Sequence, residues 1–196
     1  VSIVSAASSS YVTSSQASRL YDVYVRGDIT LEHAYSLALS FLNKAAATYY
    51  LRGVEPPPEI LDIYLISDKE RFVEAVSRLA SKMKLEVDRN LVAVQDLGGV
   101  GLELYRNVKL GLTREEEALR VAGAYASFLA NIDPERYGFL SKMEGDRLLI
   151  AVSALSQERV PSDLEVADLA LKDKYTHEDY LLALSWLNAQ VFVETH

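Results

Sequence analysis

Leu31, Ala34, Tyr35, Ala38, Phe41, Leu42, Ala45 and Tyr49 recur at intervals of three and four. That spacing stacks side chains on one face of an α-helix and predicts a helix over residues 31–52, ended by Gly53. Upstream, Val12, Leu20, Val23 and Tyr24 share a helical face between Tyr11 and Arg26. Gly27 then reads as a left-handed cap residue, with Asp28 or Thr30 as the next N-cap. Eight of the first eighteen residues are Ser, and residues 1–10 are expected to form a flexible arm.

After Gly53 the pattern changes. Three consecutive prolines, Pro56 to Pro58, fix φ and predict an extended stretch. EILDIYLIS, residues 59–67, is apolar on both faces and reads as a buried strand. Ser67 to Glu70 forms a capping box opening a helix whose inward stripe is Phe72, Val76, Leu79, Ala80 and Met83. Between Leu85 and Leu112 the segments LVAV, GGVG, LELY and VKLG suggest two or three short strands joined by turns. A second capping box, Thr113 to Glu116, precedes a helix that turns Ala118, Val121, Ala122, Tyr125, Phe128 and Leu129 inward. A short helix starts at Asp133-Pro134, an apolar one covers 146–157, Ser162 to Glu165 caps a helix over 163–172, and the last runs from 177 to about 194. No fixed-period repeat and no Gly/Ser linker divides the chain. The expected architecture is therefore α+β: a single domain over residues 11–196, predominantly helical, with a small mixed β-sheet.

Composition narrows the chemistry more than it identifies it. The chain has 196 residues, 49% of them hydrophobic and 24% charged, and a formal net charge of −8. With no long Lys/Arg run, there is no positive face on which to neutralise phosphates, which argues against nucleic acid as a partner. No stretch reaches the ~18 apolar residues of a membrane-spanning helix, so no transmembrane segment is expected within these residues. The absence of Cys removes disulfides, thiolate nucleophiles and Cys-based metal sites together. Asn and Gln number nine in all, beside plentiful Glu, Arg, Leu, Val and Tyr, a balance that fits a thermophile. Val4-Ser5-Ala6 has the small-residue spacing of a signal-peptide cleavage site and leans toward export or surface anchoring rather than the cytoplasm.

His177-Glu178 opens like the HExxH helix of a zinc protease, but the second His, due at 181, is Leu. Thr176 as N-cap, with Asp179 at the third helical position and Glu178 at the positive helix end, explains the run without a metal. A site combining His177 and Glu178 with a distant carboxylate stays open as an alternative. Ile29 stands where the reversed motif ending at Glu32-His33 needs its first His. DLGGVG, residues 96–101, lacks the lysine and glycine spacing of a phosphate loop and reads as a strand turn. Arg26-Gly27-Asp28 spells an adhesion tripeptide, but its letters are those of a helix cap followed by an N-cap. Glu115-Glu116-Glu117 complements a helix dipole. Neither Ser81-Lys82 nor Ser141-Lys142 has nucleophile spacing, and no cofactor motif is present. Tyr outnumbers Phe twelve to five. Tyr21, Tyr24, Tyr35, Tyr49 and Tyr50 concentrate in the first two predicted helices, where an apolar ring with a polar end suits partner binding as well as core packing.

Three segments carry a family likeness: AATYYLRGVEPPPEILDIYLISDKERF (46–72), TREEEALRVAGAYASFLA (113–130) and YTHEDYLLALSWLNAQVFVETH (175–196). In that order, with turns and strands between the first two, they resemble the peptidase MA-like gluzincins over residues 20–196. The resemblance implies a zincin-like scaffold in which the helix of 114–130 stands where the family carries its HExxH. Here that stretch reads RVAGAYASFLA, and Lys142 occupies the position of the third metal ligand. No catalytic residue carries over. The expected function is a non-catalytic protein- or peptide-binding domain on an inactive zincin-like scaffold. The alternatives are a hydrolase with a carboxylate/His site assembled only in the fold, and a structural assembly protein.

Overall fold

Gly27 and Gly111 show how this chain punctuates its helices. Both have positive φ, +85° and +74°, and both complete the same pair of reversed hydrogen bonds. Gly27 N–H donates to the carbonyl of Tyr24 at 2.9 Å and Asp28 N–H to that of Val23 at 3.1 Å. Gly111 N–H donates to Val108 at 3.1 Å and Leu112 N–H to Asn107 at 2.8 Å. These are Schellman closures, in which a residue without Cβ satisfies the last carbonyls of a helix. The Arg26-Gly27-Asp28 tripeptide is thus a helix terminus. Its two charged side chains pair at 3.4 Å across the glycine in full exposure.

The computed structural model describes residues 12–52, 54–83, 103–155 and 162–195, and the chain divides into two compact units, 1–100 and 101–196. The Ser-rich arm, Gly53 and the segments LVAV and GGVG lie outside the described residues. In the first unit the elements are α1 (Ser14–Ala17), α2 (Leu20–Val25), α3 (Leu31–Leu51), α4 (Pro58–Ile63) and α5 (Lys69–Lys82). Thr30 caps α3 by accepting from His33 N–H at 3.1 Å. Asp68, one residue later than the predicted Ser67, caps α5 by accepting from Arg71 N–H at 2.8 Å.

α3 is buried on more than its predicted stripe. Every residue from Leu37 to Thr48 is buried, Leu37, Leu39, Ala46 and Ala47 included. A helix apolar nearly all round belongs in an interior, and within its unit α3 packs against α1, α2, α4 and α5. Its Tyr35 ring tilts against Phe72 of α5 with centroids 5.3 Å apart. Fully burying side chains such as Phe72 and Val76 contributes about 1.5–3 kcal/mol each.

The structure corrects the expected strand at 59–67. Pro58 sits at the first helical position, where its fixed φ is already helical and its missing N–H costs nothing. Ile60, Ile63 and Tyr64 are buried, a three-and-four interval, whereas Leu65, on what would be the same strand face as Ile63, is 53% exposed. An apolar run this short fits either period, and burial on one side only selects the helix.

The second unit comprises α6 (Leu104–Lys109), α7 (Glu115–Ile132), α8 (Pro134–Tyr137), a 3-10 turn (Gly138–Lys142), α9 (Gly145–Leu155), α10 (Asp163–Ala170) and α11 (His177–Thr195). α6 replaces the strands expected for LELY and VKLG, because Gly111 closes a helix there instead of turning a hairpin. The α+β expectation with a small mixed β-sheet is therefore overturned. The described residues form helices and contain no strand, so this is an all-α architecture.

α7 is the hub of this unit and packs against α6, α8, the 3-10 turn, α9 and α11. Its predicted inward residues Ala118, Val121, Ala122, Tyr125, Phe128 and Leu129 are all buried. Arg114, not Thr113, precedes its first turn, and no side chain caps it. Asp133 caps α8 through Arg136 N–H at 3.2 Å. Ser162 and Glu165 form the predicted reciprocal box at the start of α10. Among the described residues no helix is long and apolar enough to cross a membrane.

Candidate functional site

The face of α7 next to its core stripe is built from small residues. Gly123, Ala126 and Ala130 form the floor of a pocket of about 390 Å³, with Ser127 and Asn131 at its edge. Leu140 and Ser141 from the 3-10 turn, Met143 just after it and Leu148 from α9 make one wall. Asp173, Lys174 and Tyr175, from the loop between α10 and α11, make the other. Small side chains are required here. A Cβ on Gly123 would fall within 2.7 Å of Tyr175 Cζ and 2.9 Å of its Cε1, and closer still to the hydroxyl. Tyr175 therefore rests directly on the helix backbone, and its ring meets Tyr180 edge-on at 6.2 Å.

A carboxylate anchors that loop. Ser127 Oγ and Tyr180 Oη both reach Oδ2 of Asp173, and the two hydroxyl oxygens lie 2.8 Å apart. On the other carboxylate oxygen, Oδ1 accepts the Tyr175 backbone N–H at 3.0 Å. Burial pushes the Tyr180 phenol well above its ordinary range, and its bond to Asp173 raises it further. The Tyr180 hydroxyl partnering this acid is thus held in its protonated form. Among the described residues Ser127 Oγ meets the Asp173 carboxylate and the Tyr180 hydroxyl, and none of its hydrogen bonds brings it an imidazole or an amine. The arrangement suits binding, with an apolar cavity and a few fixed polar groups at its edge.

Thr176 and Asp179 play the capping roles that their positions predict. Thr176 Oγ1 accepts from Asp179 N–H at 3.2 Å and Asp179 Oδ2 accepts from Thr176 N–H at 3.0 Å. Asp179 also takes both Nε, at 3.1 Å, and Nη2 of Arg120 on α7. The Thr176 amide first, and the Arg120 guanidinium second, hold its carboxyl below the usual carboxylate range. This clamp ties the start of α11 to α7 and so fixes the pocket loop that precedes it. His177 and Glu178, the residues of the metal alternative, are exposed at the first turn. Among the described residues no group of three His, Asp or Glu side chains is placed to hold a metal ion. Glu116 and Glu117 line a second, shallower cavity of about 440 Å³ with Arg114, Arg120 and Leu182. Its mixed charges balance one another.

The five tyrosines singled out for partner binding lie in the first unit. Tyr35 and Tyr50 are buried, while Tyr21, Tyr24 and Tyr49 are half-buried. Tyr21 and Tyr24 tilt against each other at 6.3 Å, and the Arg52 guanidinium stands 5.1 Å from the Tyr49 ring centroid. Of the pocket residues the sequence singles out only Ser141 as a candidate, weighed as a nucleophile and not as part of a cavity. The one available signal was Gly123, Ala126 and Ala130, small residues at three-and-four spacing on a helix whose apolar stripe lies on the adjacent face. No protein family, curated protein or solved structure matches the chain.

Proposed function

We propose that this chain is a non-catalytic binding module that accommodates an apolar group of a protein or peptide ligand in the pocket beside α7. The observation that carries this reading is the pocket's construction: a small-residue floor, an apolar wall from Leu140, Met143 and Leu148, and polar groups confined to its edge. Such a cavity gains affinity from burial and takes orientation from its few hydrogen-bonding groups. Ser141 and Asn131 stand at that edge, and Asn131 is oriented by donating Nδ2–H to the Ser127 carbonyl at 2.8 Å. A non-catalytic role is favoured because the cluster of Asp173 with Ser127 and Tyr180 anchors the loop that walls the pocket.

Peptide display against the intact chain, with Ala130→Leu as the counter-target, tests the proposal. Ala130 is half-buried at the floor, and leucine there fills the cavity without loss of helix propensity. Peptides enriched on the unaltered chain should share an apolar residue and should fail on Ala130→Leu. Equal binding to both proteins would place recognition elsewhere. Cleavage of the bound peptides would return the chain to the hydrolases.

A further inference from the structure

Asp173 and Lys174 stand side by side at the pocket's edge, and neither is in an ion pair among the described residues. The Lys174 ammonium is exposed and lies over the neighbouring Tyr175 ring, 5.2 Å from its centroid. Solvent screens a charge so placed. Asp173 is different, because it is half-buried against the cavity and its partners are Ser127, Tyr180 and a backbone amide, all of them neutral. A carboxylate offers about four acceptor positions on its two oxygens, and those three bonds leave one on Oδ1. Its negative charge is oriented but not neutralised.

We infer that the pocket takes a primary ammonium carried on an apolar body, the ammonium donating to Asp173 Oδ1 while the apolar part fills the space over Gly123, Ala126 and Ala130. This rests on the binding role proposed above and adds the charge of the ligand. Hydrogen bonds between ionised partners are stronger than neutral ones, and here the acceptor is already positioned, so little ordering is lost on binding. An anionic ligand would meet Asp173 across the cavity and is disfavoured. Two sources present the required chemistry in a peptide: a free amino terminus whose first side chain is apolar, and a lysine side chain with its four-carbon stem.

Titrations of the intact chain by heteronuclear NMR separate these cases with three peptides of one length. The first has a leucine at its free amino terminus, the second is the same peptide acetylated, and the third is acetylated but carries one internal lysine. Shifts at Gly123, Ser127 and Tyr175 amides report pocket occupancy. The free-terminus or the lysine peptide should bind at least about tenfold more tightly than the acetylated one, the stronger of the two identifying the source. Asp173→Asn should abolish that difference and leave the weaker binding in place. Should this variant fail to fold, the acetylation contrast on the unaltered chain still decides. Equal affinity for charged and acetylated peptides, lost in Ala130→Leu, would overturn the ammonium inference while leaving the binding pocket intact. No pocket shifts with any peptide would overturn both.

Discussion

Replacing Gly123 by alanine sets two effects of known sign against each other. Within a helix, alanine is favoured over glycine by about 1 kcal/mol, because glycine surrenders more backbone freedom on folding. Against this, the new Cβ would stand within 2.9 Å of three atoms of the Tyr175 side chain, two of the ring and the hydroxyl oxygen, so the ring must leave the α7 backbone. Tyr175 would then lose its seat over the pocket floor and its edge contact with Tyr180. Forcing extra volume into a packed site costs typically about 1–3 kcal/mol, and with about 2 here Gly123→Ala is destabilised by about 1 kcal/mol net. In a Tyr175→Ala background the obstruction is gone, and the same substitution should stabilise by up to about 1 kcal/mol. Urea denaturation of the four proteins closes a double-mutant cycle, with an expected coupling of about 2 kcal/mol between positions 123 and 175. If Gly123→Ala changed the midpoint equally in both backgrounds, Tyr175 would not rest on this helix, and the wall of the pocket would have to be redrawn.

Three further outcomes follow from buried polar groups. The Tyr125 hydroxyl is buried without a hydrogen-bond partner among the described residues, and burial pushes its ionisation well above the ordinary range. Tyr125→Phe should therefore leave stability unchanged or raise it by about 1 kcal/mol in a urea titration, and a loss of that size would reveal an ordered water at the hydroxyl. Tyr64 Oη donates to Asn43 Oδ1 at 2.7 Å inside the first unit, where Asn43 Nδ2 already lacks a partner among the described residues. Tyr64→Phe strands the acceptor too and should cost about 1–2 kcal/mol, seen as a lower denaturant midpoint at unchanged slope. Asp179 has its carboxyl ionisation lowered by folding, so its bonds to Thr176 and Arg120 stabilise fully above the unfolded carboxylate range and are lost as pH falls through the lowered value. Melting temperatures measured from about pH 5 down to 2 should fall less steeply for Asp179→Asn than for the unaltered chain, and parallel curves would exclude Asp179 as a contributor.

Local chemistry set the helix boundaries, because caps and φ preferences act over three or four residues. Thr30, Asp133, Ser162 and Thr176 start helices and Gly27 ends one as their side chains require. The three-and-four spacing likewise exposed the buried faces of α3, α5 and α7, since burial of one stripe is written in the order of the residues. The reading failed where a short apolar run satisfied two periods at once. Ile60, Ile63 and Tyr64 mark a helix only when Leu65 is seen to face solvent, and that exposure is a tertiary fact. The pocket was less legible still. Its parts come from 123–131, 140–148 and 173–175, and no spacing rule links a glycine in one helix to a tyrosine fifty residues on. Asp173 is an ordinary loop acid in the sequence, and it becomes a candidate anchor for a cation only because folding brings Ser127 and Tyr180 to it as neutral partners. The order of residues thus determined where α3, α8, α10 and α11 begin and which faces of α3, α5 and α7 turn inward, through interactions of short range. Only the packing of α7, the 3-10 turn and the loop before α11 decided what those faces enclose, because a cavity belongs to surfaces that meet across the chain.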